Sequence, residues 1–338
     1  MGLLEEAAKH RLLVRAAVLY YVEGWTQRQI AEHLGVSRAT AGRLVASARA
    51  TGVVRIEIVS GLGRQVGTEL ALENAYGLAE AVVVDPAEVH RGGTVDLGQG
   101  CADLLARRLN PGMILAFGWS SDPNEWIGRT AEVLQASRRT GAVVPNVTVV
   151  QMAGAAPADP SRVNPMRTVS AIADALAANE ILIAAPLYVD SPATVRSLQA
   201  DRGIATALAA TARADICMFG VGHVARTTPL YRSGYLDDDR LAEMQQRGAV
   251  GDICGRFFDA AGRPLTGGLA DLTLSAELDS ISSRPLRVAA AAGPERVEAL
   301  RGAFIGDLAN AVVTDTPTAL ALIQRAHPTR NKHGKPDA

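Results

Sequence analysis

Apolar positions recur at helical spacing through the first fifty residues and then give way to short, continuous apolar runs. Leu12 to Val22 reads as a helix with Leu12, Val14, Ala16, Leu19 and Tyr20 sharing a buried face, ended by Gly24. Thr26-Gln27-Arg28-Gln29 has the form of a capping box, so a second helix starts there and turns Ile30, Ala31 and Leu34 inward. Gly35 suits a tight turn, because a left-handed backbone costs glycine little. Ser37 caps a third helix whose inward residues are Ala41, Leu44 and Ala48. Val54, Ile56 and Ile58 then alternate in a short strand over Gly52–Ile58, which closes the module as a wing.

From Val66 the pattern changes. Apolar runs at 81–84, 113–117, 148–152, 181–184, 216–221, 288–291 and 311–314 read as buried strands. Helical stretches at 95–109, 166–178, 205–214, 295–303 and 317–326 separate several of them. The fold expected is α/β: a small N-terminal winged helix-turn-helix, then a Rossmann-like, doubly wound, mostly parallel sheet. The divisions expected are 1–59 for the module, 60–65 for a linker, 66–326 for the body and 327–338 for a disordered tail with almost nothing apolar.

Charge sharpens the division. The net charge is −1 over 338 residues, but the first sixty hold eight basic against five acidic side chains, a balance of +3, leaving −4 for the rest. Every charge between Ser37 and Ile56 is positive. A basic head on a mildly acidic body suits a reader of a polyanion joined to a second function. The outward face of the third helix carries Ser37, Arg38, Thr40 and Arg43, with Thr26 and Gln27 at the start of the helix before it. Arginine pairs bidentately with guanine in the major groove, and hydroxyls and amides reach bases or phosphates. Double-stranded DNA is therefore the expected partner. Gly42 leaves this face without a side chain at a cost to the helix of ~1 kcal/mol relative to alanine.

In the body, glycines and hydroxyls follow the strand runs at Phe117-Gly118-Trp119-Ser120-Ser121, Gln151-Met152-Ala153-Gly154, Gly220-Val221-Gly222-His223 and Ala292-Gly293-Pro294. Parallel sheets bind small ligands beyond the carboxyl ends of their strands, where free amides can cradle an anion. A catalyst is the rival reading, an isomerase-like enzyme carrying a DNA-binding module. Lysine occurs only at Lys9, Lys332 and Lys335, near the ends, so Schiff-base chemistry in the sheet has no amine to use. His223 and Asp259 remain as acid–base candidates, without a nucleophile–base pair. Cys101, Cys217 and Cys254 are far apart and odd in number, which predicts buried free thiols in a reducing compartment. No ligand spacing calls for a metal, no cofactor is implied, and no apolar run approaches the ~20 residues of a membrane span. A cytoplasmic location is expected.

Leu19-Tyr20-Tyr21, Gly24-Trp25-Thr26-Gln27, Leu34-Gly35-Val36-Ser37-Arg38 and Gly52-Val53-Val54-Arg55-Ile56 resemble the SorC family of sugar-responsive regulators. The resemblance continues through Gly118-Trp119, Val149-Val150-Gln151-Met152-Ala153-Gly154, Ala185-Pro186-Leu187-Tyr188-Val189, Gly220-Val221-Gly222, Gly251-Asp252-Ile253, Phe258-Asp259 and Val313-Thr314-Asp315-Thr316. It implies a winged helix-turn-helix joined to an effector domain similar to sugar-phosphate isomerases, working as a dimer or tetramer. The effector would be a sugar, a polyol or a sugar phosphate, and the residues implied for its site are Gly118, Ser120, Ser121, Gly154, Gly222, Asp259 and Arg296. Where members have two glycines and then a lysine, this sequence has Ala292-Gly293-Pro294-Glu295-Arg296, which assigns any anion to an arginine. Asp122, in the loop after Trp119, adds a carboxylate that would repel a phosphate.

Overall fold

A computed structural model describes residues 2–54, 65–85, 96–118, 126–141, 144–155 and 165–326, with side chains from His10 onward except that of Pro165. The chain divides into two units, Met1–Val59 and Ser60–Ala338. None of the described helices is long and apolar enough to cross a membrane.

The first unit contains α1 (Gly2–Tyr21), α2 (Gln27–Leu34) and α3 (Arg38–Ala50). The capping box at Thr26 forms in full: the Gln29 amide donates to the Thr26 hydroxyl, and the Thr26 amide to the Gln29 side chain at 2.9 Å. Gly35 takes the left-handed conformation (φ 65°) that turns α2 into α3, and Ser37 accepts from the Thr40 amide at 3.1 Å. Two small clusters hold the helices together. Ala16 packs with Ile30, Ala31, Ala41 and Val45, and Leu13 and Ala17 pack with Ala48.

The face expected on α1 is therefore out of phase. Leu13, Ala16 and Ala17 are buried, Leu19 packs only partly, and Leu12, Val14 and Tyr20 are exposed. Spacings of three and four place Leu13, Ala16 and Ala17 on one stripe, and the two alanines let the helices cross closely. On α3, Val45 joins Ala41 and Ala48 in the buried set, while Leu44 is half-buried. The wing expected over Gly52–Ile58 falls largely on 55–64, outside the described residues; Gly52–Val54 form a turn and bend.

The second unit is built on a seven-stranded parallel sheet in the order β1-β10-β9-β5-β2-β3-β4. Its strands are β1 (Glu80–Val84), β2 (Ile114–Phe117), β3 (Thr148–Gln151), β4 (Asn179–Ile181), β5 (Ile216–Gly220), β9 (Leu286–Ala290) and β10 (Ala311–Asp315). Between β5 and β9 the chain adds a small antiparallel sheet, β6 (Gly222–His223), β7 (Ala249–Ile253) and β8 (Arg256–Asp259), which no apolar run announces.

Helices cover both faces, as a parallel sheet requires. α5 (Leu97–Arg108), α6 (Trp126–Arg139) and α7 (Pro165–Leu176) enclose one core with Val82, Leu115, Phe117, Val149, Ile216, Met218, Val288 and Val313. α4 (Val66–Tyr76), α11 (Asp238–Gln246), α13 (Val297–Ile305), α14 (Thr316–Arg325) and the β7–β8 hairpin enclose the other with Val83, Ala116, Phe219, Ala289 and Val312. Alternate residues of each strand thus enter opposite cores. α9 (Arg202–Thr211) packs on Val150 and Ile183, and the short helices α8 (Pro192–Gln199), α10 (Pro229–Arg232) and α12 (Leu278–Ser282) fill the connections. The fourth strand lies ahead of its expected run at 181–184 and shares only Ile181 with it; beyond Ile181 the Ile183 amide donates to the Gln151 side chain, not to a neighbouring strand. Three of the segments outside the described residues, 86–95, 119–125 and 156–164, follow β1, β2 and β3; the tail at 327–338 is also outside. The three cysteines are buried thiols, and burial pushes those of Cys101 and Cys217 up.

Candidate functional site

On the first unit, α3 presents Ser37, Arg38 and Arg43 to solvent with Thr40 half-buried between them. The Thr40 hydroxyl bonds the Ser37 hydroxyl at 2.8 Å and accepts from the Arg43 guanidinium at 3.4 Å, so one hydroxyl orients both neighbours. Arg28 and Arg38 line a hollow of about 630 Å³ with Tyr20, Gly24, Trp25, Thr26 and Gln27. Thr26 is exposed but its hydroxyl serves the cap. Gly42 has a packing role that its sequence position conceals. A Cβ there would lie 3.2 Å from Gln27 Oε1, so the missing side chain makes room for the Gln27 carboxamide between the two helices. All six residues expected on a DNA face belong to this one capped pair of helices.

In the second unit, the carboxyl ends of β2, β5 and β9 meet where the strand order reverses, since the chain runs outward from β2 to β3 and β4 but returns through β5 to β9. This is the crevice in which open α/β sheets hold ligands. Gly118 ends β2 against the hairpin: a Cβ would lie 2.7 Å from Cys254 Sγ and 2.8 Å from Phe219 Cβ. Gly222 pairs with Asp252, and His223 with Gly251. Arg296, just before α13, is buried, and its Nη1 donates to the Ala292 carbonyl at 2.9 Å and pairs with the Glu295 carboxylate. Arg296 Nε and His223 Nδ1 are buried without a hydrogen-bond partner among the described residues.

Asp252 completes the constellation, and its sequence pattern alone assigns it no chemical role. Burial pushes its carboxyl up to about 6, against the opposing pull of the Gly255 amide, which donates to Oδ2 at 3.0 Å, and of the Arg296 guanidinium. Burial also lowers the basicity of His223, and Arg296 lowers it further while Glu295 acts the other way. The imidazole, carboxylate and guanidinium therefore share one electrostatic neighbourhood. The signal available in the sequence was the aspartate of Gly251-Asp252-Ile253, a charge flanked by small and apolar residues.

Two expected residues sit elsewhere. Asp259 ends β8 at the far end of the hairpin from Asp252, and its carboxylate accepts from the Ala261 and Arg263 amides and the Arg263 guanidinium, all at 2.9 Å. Burial opposes its ionisation, but those hydrogen bonds outweigh burial and hold the carboxyl below its usual range. Gly154 lies at the rim, where a Cβ would come 2.5 Å from the Pro186 carbonyl oxygen; its role in the described structure is this close backbone approach. Ser120 and Ser121 fall outside the described residues.

Comparison with known proteins fits both units. Residues 62–324 match the family described as "Putative sugar-binding domain", and residues 9–54 match "Homeodomain-like domain". The chain belongs to the SorC family of sugar-binding transcriptional regulators. Among its relatives, the deoxyribonucleoside regulator of Bacillus subtilis (strain 168) is 32% identical over 318 residues, 93% of this chain and 98% of the relative. The sorbitol operon regulator of Klebsiella pneumoniae is 27% identical over 322 residues, 95% of this chain and 100% of the relative. The crystal structure of that organism's full-length SorC superposes with a TM-score of 0.67 at 28% identity, covering 93% of this chain and 98% of the other. As a family member the chain is a transcriptional regulator with a helix-turn-helix DNA-binding domain and a sugar-binding domain.

Proposed function

We propose that DNA affinity in this regulator is set by a sugar, polyol or sugar phosphate bound at the carboxyl ends of β2, β5 and β9, and that it controls a carbohydrate or polyol catabolic operon. The observation that carries this reading is the pair of buried groups Arg296 and Asp252 with the half-buried His223, whose Nδ1 is buried and unpartnered, at the strand-order reversal. Buried ionisable groups with unspent hydrogen-bonding atoms are costly to a fold and mark a place where a polar ligand supplies the missing partners. The backbone at Gly118 and Gly222 forms the floor. The relatives named for deoxyribonucleosides and for sorbitol support an effector of small carbohydrate size.

On the DNA side, Arg38 and Arg43 read or clamp the duplex, with Ser37, Thr40, Thr26 and Gln27 in supporting contacts. A module carrying only +3 binds weakly as a single copy, so the regulator works as a homodimer or homotetramer that fixes the spacing of two readers. The site is in the cytoplasm with the DNA. Its chemistry is binding and not catalysis: Asp259, one of two acid–base candidates, is spent on a turn, and the reading needs neither cofactor nor metal. Arg296→Gln is expected to weaken effector binding by about tenfold or more (about 1.4 kcal/mol) while leaving DNA binding by the free protein in place, read by calorimetry and gel shift. Equal effector affinity in the variant would remove Arg296 from the site.

A further inference from the structure

We propose that the crevice takes an unphosphorylated sugar or polyol, and that Glu295 is the residue that excludes the phosphate ester. The inference rests on the effector reading above and narrows its ligand class.

A phosphate grip needs an unspent cation and successive free backbone amides. The loop after β9 offers little of either. The Gly293 amide donates to the Thr318 hydroxyl at 2.8 Å, and Pro294 has no amide hydrogen. Arg296 Nη1 is committed to the Ala292 carbonyl and the Glu295 carboxylate. That carboxylate folds back over the loop, so that a Cβ on Gly293 would lie 2.7 Å from Glu295 Oε1 and 2.8 Å from Oε2. The space beside Gly293, where an anion would meet the arginine, already holds an anion.

The surrounding charge points the same way. Asp252 places a second carboxylate within the field of Arg296, and the lowered basicity of His223 leaves its ring neutral near pH 7. With one arginine against two carboxylates, the four groups sum to −1 when Asp252 is ionised. A phosphate ester brings a further charge of about −1.5 to −2. Hydroxyl groups fit better. Carboxylates accept from them, the unpartnered Arg296 Nε donates to them, and the unpartnered His223 Nδ1 does either according to its tautomer. A hydroxyl supplies a donor and acceptors together, whereas the phosphate dianion that replaces it in the ester supplies acceptors alone and gives the two carboxylates nothing to accept.

The test is calorimetry and thermal shift on the full chain with C4 to C6 polyols and aldoses, each paired with its terminal phosphate, and with inorganic phosphate alone. The expected result is a polyol or aldose that binds at least about tenfold more tightly than its phosphate, with inorganic phosphate giving no shift. Glu295 is partly exposed, so Glu295→Gln folds, and it should shrink that preference by about tenfold by freeing Arg296 for the ester. Tighter binding of the phosphate by the unmodified chain overturns the inference and leaves the sugar-effector reading standing. A preference for the neutral ligand that Glu295→Gln does not change overturns the role of Glu295. Binding of neither class of compound overturns the effector reading itself.

Discussion

Asp252, in its proposed role as a binding residue, works against the fold that carries it. Its carboxyl is held up at about 6, above the range of an unfolded aspartate, so the native state keeps the proton more tightly than the unfolded chain does. The favourable contribution is complete below pH about 4 and is lost as pH rises through about 6, where a buried charge must be carried instead. Asp252→Asn keeps an acceptor for the Gly255 amide and has no charge to bury. Relative to the unmodified chain it should gain stability between pH 4.5 and 7.5, by about 2 kcal/mol, in urea denaturation at the two pH values. It should also bind effector less tightly, because a neutral amide accepts hydroxyl hydrogens more weakly than a carboxylate. An equal stability difference at both pH values would contradict the buried-charge account.

At the scale of elements, the sequence was most readable where one physical requirement dominated. Strands buried on both faces must be apolar throughout, so β1, β2, β3, β5, β9 and β10 stand out as runs and were placed within two residues at each end. The caps at Thr26 and Ser37 were legible because only a few side chains can satisfy free amides at a helix start. The β6–β8 sheet was not, since Asp252 and Arg256 put charges into its buried stretches, with Arg256 spending its guanidinium on the carbonyls of Thr273, Ser275 and Ala276. The α1 face was misphased because its contacts are made by alanines, whose burial leaves little trace in a hydrophobic pattern. Within the proposed site, motif order points to Arg296, Gly118 and Gly222, but the pairing of His223 with Gly251 and the approach of Asp252 depend on chain reversals that no local pattern encodes.

Gly42 links an element's stability to its use. Gly42→Ala should stabilise α3 by up to about 1 kcal/mol through helix propensity, since the atom it approaches is the far end of a flexible glutamine. Displacing the Gln27 carboxamide should at the same time weaken DNA binding a few-fold. Melting of the first unit and gel shift on one preparation would separate the two effects. A variant that binds DNA unchanged would show that Gln27 serves packing alone.

For the whole molecule, a weakly basic reader is joined to a larger acidic body whose proposed ligand crevice is built on a parallel sheet. Small charge on the reader makes affinity depend on salt, because each phosphate contact releases counterions. In the proposed dimer or tetramer it also makes regulation easy to impose, since a modest change in the spacing of two weak readers would cost most of the joint affinity. The most direct test is fluorescence anisotropy of the full chain on duplex DNA from upstream of its neighbouring operon, at about 50 mM salt, titrated with an unphosphorylated polyol or aldose that binds it. The account predicts binding in preference to random-sequence DNA, lost on Arg38→Ala and shifted by about tenfold or more when the ligand is added. Binding with no preference over random DNA, or binding that the ligand leaves unchanged, would contradict it.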